Sequence, residues 1–401
     1  MLNVIILGIT SFLTDFSTEM VYPLLPLYLT SARIGASPAI VGLIEGIAES
    51  LASILKVFSG YISDRFRTRK PLTILGYSAS TIGKIFLYIS TTWQIVLIGR
   101  IIDRFGKGIR TAPRDALIAD STDSTRRGAA YGLHRALDTF GAVAGVAVAY
   151  VLFVTLRDDF QPIFLFSLIP ALLAVVVLCF VREKTSPLTP LPTGEGKTTS
   201  PLTPLPTGEG KKEIWWRNLR SKWQGLDRRL KFFLVIVFVF SLGNSSNQFL
   251  ILRATSLGYD DAAAILLYLL YNVVYAIGAY PFGHLSDRIG RKKLLVAGYA
   301  VYGAIYLGFG VTGATLLPIL FGMYGLYIAL TEGVEKALVS ELAPAPQRAT
   351  LIGLHATAIG VGLLPASLLA GVLWDASGAP APFFFGGALG LAAAIALWRL
   401  I

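Results

Sequence analysis

Apolar residues come in twelve long blocks, at about 4–29, 38–63, 71–90, 93–119, 129–154, 161–181, 232–252, 261–283, 294–312, 315–339, 349–373 and 382–400. Each is about 20 residues or more, the length an α-helix needs to cross the roughly 30 Å hydrocarbon core of a bilayer. The short alternating segments of a membrane β-barrel are absent. The pattern predicts an all-α polytopic membrane protein with twelve transmembrane helices.

The polar positions inside these blocks are as informative as the apolar ones. Span 1 carries Asp15 and Glu19 four residues apart, on one face with Tyr22. An ionised carboxylate at the centre of a membrane helix costs roughly 2.5–3.5 kcal/mol on insertion scales, so such groups face an interior cavity and find partners there. In span 2, Glu45, Glu49 and Lys56 share a face. In span 4, Arg100, Asp103, Arg104, Lys107, Arg110, Arg114 and Asp115 fall within a stripe about 140° wide at 100° per residue, with Ile101, Ile102, Phe105, Ile109 and Ala112 on the other faces. The last three charges of that stripe also fit a cytoplasmic loop. In span 10, Glu332, Glu335 and Lys336 cluster, while Lys84, Arg135 and Asp138 are single intrusions. Acids and bases balance in number, as a shared, desolvated cavity requires. The expected arrangement sets span 1 opposite span 4, so that Arg100 and Arg104 pair with Asp15 and Glu19.

Composition agrees with a membrane protein. The chain of 401 residues is 54% hydrophobic and 15% charged, against about 25% charge in soluble domains, and its mean hydropathy is +0.65. The net charge of +11 is a matter of topology. Arg33, Arg157 and Arg253 are the basic residues in loops on one side, and most of the others lie in loops opposite. By the positive-inside rule both termini and the 182–231 loop are cytoplasmic, and the expected location is the plasma (cell inner) membrane. This excess orients the chain and implies no nucleic-acid partner. Cys179 is the single cysteine, so neither a disulfide framework nor a cysteine metal cluster is expected, and no cofactor is implied.

Two repeats organise the chain. "GYISDRFRTRKPL" at 60–72 returns as "GHLSDRIGRKKLL" at 283–295, "ALIAD" at 116–120 as "ALVSE" at 337–341, and "RGAAYGLH" at 127–134 as "RATLIGLH" at 348–355. Two six-helix bundles follow, residues 1–181 and 232–401, the parallel repeat of many secondary transporters. Between them, "TSPLTPLPTGEGK" at 185–197 recurs unchanged at 199–211 in a Pro/Thr/Gly-rich segment expected to be disordered. Its "GEGKT" lacks the upstream glycine of a phosphate loop, because position 191 is Leu191. Residues 213–231 place Trp215, Leu219, Trp223, Leu226 and Leu230 at helical spacing among basic residues, which predicts an amphipathic interfacial helix.

The Gly-x-x-x-Asp-Arg motifs at Gly60, Asp64, Arg65 and at Gly283, Asp287, Arg288, each followed by further Arg and Lys, resemble the signature loop of the major facilitator superfamily. Arg100 falls where such transporters carry an arginine on span 4, and the resemblance covers essentially the whole chain. Within the superfamily the chain is most similar to proton-coupled drug and metabolite efflux members. Span 5 has Gly141 and Gly145 of the antiporter motif and lacks its proline. The resemblance implies that both motifs are gating loops, whose Asp docks on a helix N-terminus across the half-interface.

These observations together predict a secondary active transporter, not an enzyme, that exports a small organic compound by proton-coupled alternating access. Proton symport for uptake of an anionic or zwitterionic metabolite is the alternative, and a non-transporting sensor on the same scaffold is more distant. The expected partners are a small-molecule substrate, protons and membrane lipid, with the protein a monomer. Proton-coupling and cavity candidates are Asp15, Glu19, Glu45, Glu49, Arg100, Asp103, Arg104, Glu332, Glu335 and Lys336. Substrate-contact candidates are Tyr22, Lys107, Asn244, Asn247 and Gln248, on a short alignment of Asp15–Glu19 in span 1 with Asn244–Gln248 in span 7. His134 and His355, repeat-related, are expected to pack or cap.

Overall fold

The computed structural model describes residues 2–66, 69–122, 127–157, 159–183, 226–343 and 348–401. The 185–211 duplication and most of the expected interfacial helix, residues 213–225, lie outside them, as do the side chains of Asp64 and Arg65. The described residues form helices and no strand: α1 (Leu2–Val21), α2 (Leu24–Thr30), α3 (Pro38–Phe66), α4 (Arg69–Tyr88), α5 (Trp93–Asp120), α6 (Arg127–Thr155), α7 (Phe160–Cys179), α8 (Arg228–Gly243), α9 (Gln248–Ser256), α10 (Asp261–Ile289), α11 (Arg291–Val311), α12 (Leu317–Leu342), α13 (Arg348–Ser377) and α14 (Ala381–Leu400). They make twelve helical columns, because α1 and α2 together form span 1, and α8 and α9 form span 7.

Local chemistry sets the boundaries. Span 1 breaks at Tyr22 and Pro23, where proline offers no backbone N–H. Span 7 breaks over Asn244–Asn247. Asp159, Asp227 and Asp260 cap α7, α8 and α10 by accepting the N–H groups of Gln161, Arg229 and Ala263 at 3.2, 2.7 and 2.7 Å. The turn from α10 to α11 uses Gly290 at φ +95°, a conformation that a β-carbon opposes.

Among the described residues, nine columns carry an apolar stretch long and pure enough to cross a membrane by themselves. The three that fall short are α3, α4 and α5, and these hold Glu45, Glu49, Lys56, Lys84 and the charged stripe of span 4. Their polarity points inward, as the nearly complete burial of Glu45, Lys84, Arg100, Asp103 and Arg104 shows. The charges of Arg110 and Arg114 also belong to a continuous helix, α5, rather than to a loop.

Helices α1–α7 pack among themselves and α8–α14 among themselves, and the two bundles meet through α3 with α13, α6 with α10, and α2 with α9. Under the repeat, α3 corresponds to α10 and α6 to α13, so the first two contacts interchange. The α3–α13 seam is closest between residues 38–53 and 360–375. A β-carbon at Gly42 would overlap the Ser367 carbonyl, and one at Gly371 would meet the backbone of Pro38 and Ala39, so glycine allows this approach. Ser50 donates to the Gly360 carbonyl at 2.7 Å. One hydrophobic core, including Leu24, Tyr28, Ile44, Phe249 and Ile251, joins the halves at this end. Further towards the end that carries both termini Arg135 and Lys336 are more than half exposed, and Arg135 still reaches Glu332 of the other half at 3.1 Å.

Several expectations need correction. Arg253 does not lie in a loop. It is buried in α9 and donates to the carbonyls of Phe309 and Gly310 at 2.9 and 3.4 Å, where the end of a helix presents unpaired carbonyls to a cation. The breaks also set a different register for the repeat. Val21 and Gly243 end equivalent helices 222 residues apart, in step with the motif repeats, so Glu19 corresponds to Ser241 and Asp15 to Val237 rather than to Gln248 and Asn244. Finally, Asp287 does not dock across the halves. It pairs with its own Arg291, one turn on, at 3.3 Å and is otherwise exposed.

Candidate functional site

The inner face of the first bundle is an ion-pair network. Arg100 donates from Nε and Nη2 to the two oxygens of Glu45 at 2.7 and 2.8 Å, a bidentate geometry that favours arginine over lysine. Its Nη1 reaches Asp103 at 3.4 Å. Arg104 pairs with Glu49 at 2.7 Å and lies 3.9 Å from Asp103. The expected pairing of these arginines with Asp15 and Glu19 does not occur, because α3 packs directly on α5 and brings the span 2 acids to the stripe first. Lys84 donates to Thr18 at 3.2 Å. The Arg100 guanidinium also lies 5.6 Å from the centre of the Tyr22 ring, within cation–π range.

The span 1 acids have other neighbours. Asp15 is in hydrogen-bond reach of Asp138 on α6, which also accepts from Ser11 at 2.5 Å and pairs with Arg135 at 3.2 Å. Asp138 and Arg135 therefore form a unit rather than isolated intrusions. Glu19 accepts from the Tyr268 hydroxyl of α10, in the other bundle, at 3.0 Å. Tyr22 likewise crosses the divide, its hydroxyl 3.2 Å from that of Ser246. Lys56 and Lys107 make no ion pair among the described residues.

The second bundle presents a cavity of about 230 Å³ lined in part by Phe240, Asn244, Asn247, Tyr327, Glu332 and Glu335. Asn247 accepts from Tyr324 at 2.7 Å and donates to Tyr271 at 3.1 Å, and Asn244 donates to Tyr327 at 3.3 Å. Gln248 is placed elsewhere: it is fully buried at the start of α9, with neither amide atom hydrogen-bonded, because the break in span 7 turns Asn244 and Asn247, but not Gln248, to the cavity. Glu332 accepts from Tyr275 at 2.6 Å and from Arg135 of the first bundle at 3.1 Å, with Lys336 at 3.8 Å. Glu335 turns away from these groups, towards Tyr299 and His355.

The tyrosine wall escaped the sequence reading. Phe240 stacks on Tyr299 at 4.0 Å, and Tyr302, Tyr306, Tyr324 and Tyr327 continue the cluster. Its signal was present in "YLLYNVVY" at 268–275 and "GYAVYGAIY" at 298–306, where tyrosines recur at helical spacing.

The two signature loops do the same work in both halves. Arg69 donates to the Ala116 carbonyl at 3.1 Å and pairs with Asp120. Arg291 donates to the Ala337 carbonyl at 3.0 Å and pairs with Glu341 at 3.0 Å. Each arginine thus ties its loop to the end of span 4 or span 10. Around the motif positions, Gly60 packs close to Ala112, Gly283 faces open space, and Arg288 is exposed.

Two six-helix bundles related by an internal repeat, with buried ion pairs on the inner face of one and a polar cavity in the other, are the build of a secondary transporter. The family profile of the Major Facilitator Superfamily matches residues 7–253 and 232–401, and the chain belongs to that family, whose members are transporters of small molecules rather than enzymes. It is 40% identical to an uncharacterised MFS-type transporter of Methanocaldococcus jannaschii over 94% of this chain and 89% of that one. It is 29% identical to the multidrug resistance protein MdtH of Photorhabdus laumondii, over 35% of this chain and 34% of that one. Among solved structures, a point mutant of the nucleoside transporter NupG shares its fold with a TM-score of 0.78 at 13% identity, each chain covered in full.

Proposed function

We propose that this protein is a proton-coupled exporter of a small organic compound, acting as a monomer in the cell inner membrane with both termini in the cytoplasm. The bundles 1–181 and 232–401 rock about the central cavity, joined by the 182–231 linker. The observation that carries this reading is the placement of the span 1 carboxyls. Glu19 has no cation in contact among the described residues, and its hydrogen bond comes from Tyr268 in the opposite bundle. Separating the bundles at this level removes that donor, so the proton affinity of Glu19 is linked to the conformation. Asp15 has Asp138 as a neighbouring carboxyl group, and such a pair can share a proton. Export is supported by the partial likeness to a multidrug resistance protein.

A phenotype screen of a deletion strain against metabolites and drugs supplies the solute, and counterflow in proteoliposomes with an imposed pH gradient tests the coupling. Asp15→Asn and Glu19→Gln are expected to abolish pH-driven transport while leaving solute exchange. Unchanged pH-driven transport in both variants refutes the assignment. Uptake of an anionic or zwitterionic metabolite by symport is the second reading, favoured by Lys56 and Lys107, which have no ionic partner among the described residues. A pH gradient that drives accumulation rather than expulsion selects it.

A further inference from the structure

One buried ionisable group of the second bundle has no part in the coupling described above. Glu335 accepts the Tyr299 hydroxyl on Oε1 at 2.8 Å, and its Oε2 lies 3.2 Å from His355 Nε2, within ion-pair distance but out of line for a hydrogen bond, so that both ring nitrogens of His355 are buried without a hydrogen-bond partner. His355 lies flat against Phe233, the rings 6° from parallel. Tyr299 and His355 are essentially inaccessible, while Glu335 reaches the 230 Å³ pocket.

The repeat shows what is particular about this arrangement. Tyr299, Glu335 and His355 correspond to Tyr77, Arg114 and His134, at offsets of 222, 221 and 221 residues, within two residues of the 221 and 223 that relate the sequence motifs. The repeat therefore sets a tyrosine on span 3 or 9, an ionisable group on span 4 or 10 and a histidine on span 5 or 11 at equivalent positions of each bundle. In the first bundle the central group is Arg114, which keeps its proton at all accessible pH values and cannot exchange one with His134. In the second the central group is a carboxylate, and it can.

We propose that Glu335 and His355 form a second proton-binding site, set in the wall of the C-terminal pocket and separate from Asp15 and Asp138. The groups facing the dyad are Tyr299 from α11, Phe233 from α8 and, on α12 itself, Tyr327. One turn away, Glu332 and Lys336 are occupied with each other and with Arg135. No ion pair joins Glu335 to a Lys or Arg among the described residues, so a proton on the neighbouring His355 is what can balance its charge. An unbalanced charge in such surroundings is strongly disfavoured, and the proton is therefore retained until solute or water in the pocket takes over its role. This deepens the proton-coupled reading, on which its part in transport rests. The binding of the proton stands apart from that reading.

The chain has three histidines, which makes the test direct. Full-length protein labelled with ring-¹⁵N histidine in lipid nanodiscs is titrated by NMR between about pH 5 and pH 9, and the signals are assigned with single His→Gln variants. His355 is expected to titrate, with a midpoint that moves by at least about one pH unit in Glu335→Gln and stays in place in Asp15→Asn. Should Glu335→Gln fold poorly, Tyr299→Phe removes one donor to the carboxylate and moves the same midpoint by less. A His355 signal that is constant over the range, or a midpoint unmoved by the changes at Glu335 and Tyr299, overturns the proposal. A midpoint that follows Glu335 supports the dyad even when the Asp15 and Glu19 transport assays refute coupling through span 1.

Discussion

The Glu45–Arg100 pair offers the sharpest energetic test. Glu45 has no exposed surface, Arg100 is 2% exposed, and Arg100 alone among the described residues donates to Glu45. Arg100→Leu strands a carboxylate in the interior. Breaking a buried pair from one side costs about 3–5 kcal/mol, because the remaining charge is uncompensated. Glu45→Gln is milder, at roughly 1–3 kcal/mol, because Arg100 keeps Asp103 at 3.4 Å and the amide still accepts. The double variant Glu45→Met with Arg100→Leu removes both charges and keeps the volume, a change that is often neutral. It is therefore expected to be more stable than Arg100→Leu alone by at least about 2 kcal/mol. With about 2.1 cal/mol/K of unfolding entropy per residue, 4 kcal/mol over this chain corresponds to about 5 °C in Tm. The assay is a thermal melt of purified protein in one detergent, run as a double-mutant cycle whose single variants are Glu45→Met and Arg100→Leu. If Arg100→Leu melts within about 1 °C of wild type, or if the two single effects simply add in the double variant, the pair does not hold α3 to α5 in the way described.

Other outcomes follow from the same structure. Gly42→Leu or Gly371→Leu forces α3 and α13 apart at the closed end, so transport is lost while the melting temperature of the separate bundles changes little; spin-label distances across that seam are expected to lengthen. Tyr268→Phe removes the donor to Glu19 without changing volume, and it is expected to shift the pH dependence of transport while leaving solute exchange at wild-type rates. Gly290→Ala places a β-carbon at φ +95° and costs about 1–2 kcal/mol, read as a lower Tm with the transport rate little altered. Lys107→Gln, should the solute be anionic, weakens its binding tenfold or more, seen as a raised half-saturation in counterflow.

Much of this protein was legible in its residues. Blocks of about 20 mostly apolar residues marked twelve helical columns, nine of which, among the described residues, are apolar enough to cross by themselves, and a bilayer leaves such a block no other way to satisfy its backbone. The offset repeats specified two related bundles, and the loop motifs named the family. The inward face of α5 was also legible, since the helical period places every charge from Arg100 to Asp115 on one side. A helical period, however, says which face is polar and nothing about which helix lies opposite. The pairing of Arg100 and Arg104 with Glu45 and Glu49, rather than with Asp15 and Glu19, was decided by the packing of α3 on α5. Contacts between Glu19 and Tyr268, or Glu335 and His355, join residues far apart in the chain, and only the meeting of helices in three dimensions makes them neighbours. The tyrosine wall was hidden for the opposite reason. Its residues read as ordinary apolar positions until four helices brought their rings together, and the breaks in spans 1 and 7, which set the register between the halves, depend on the same assembly.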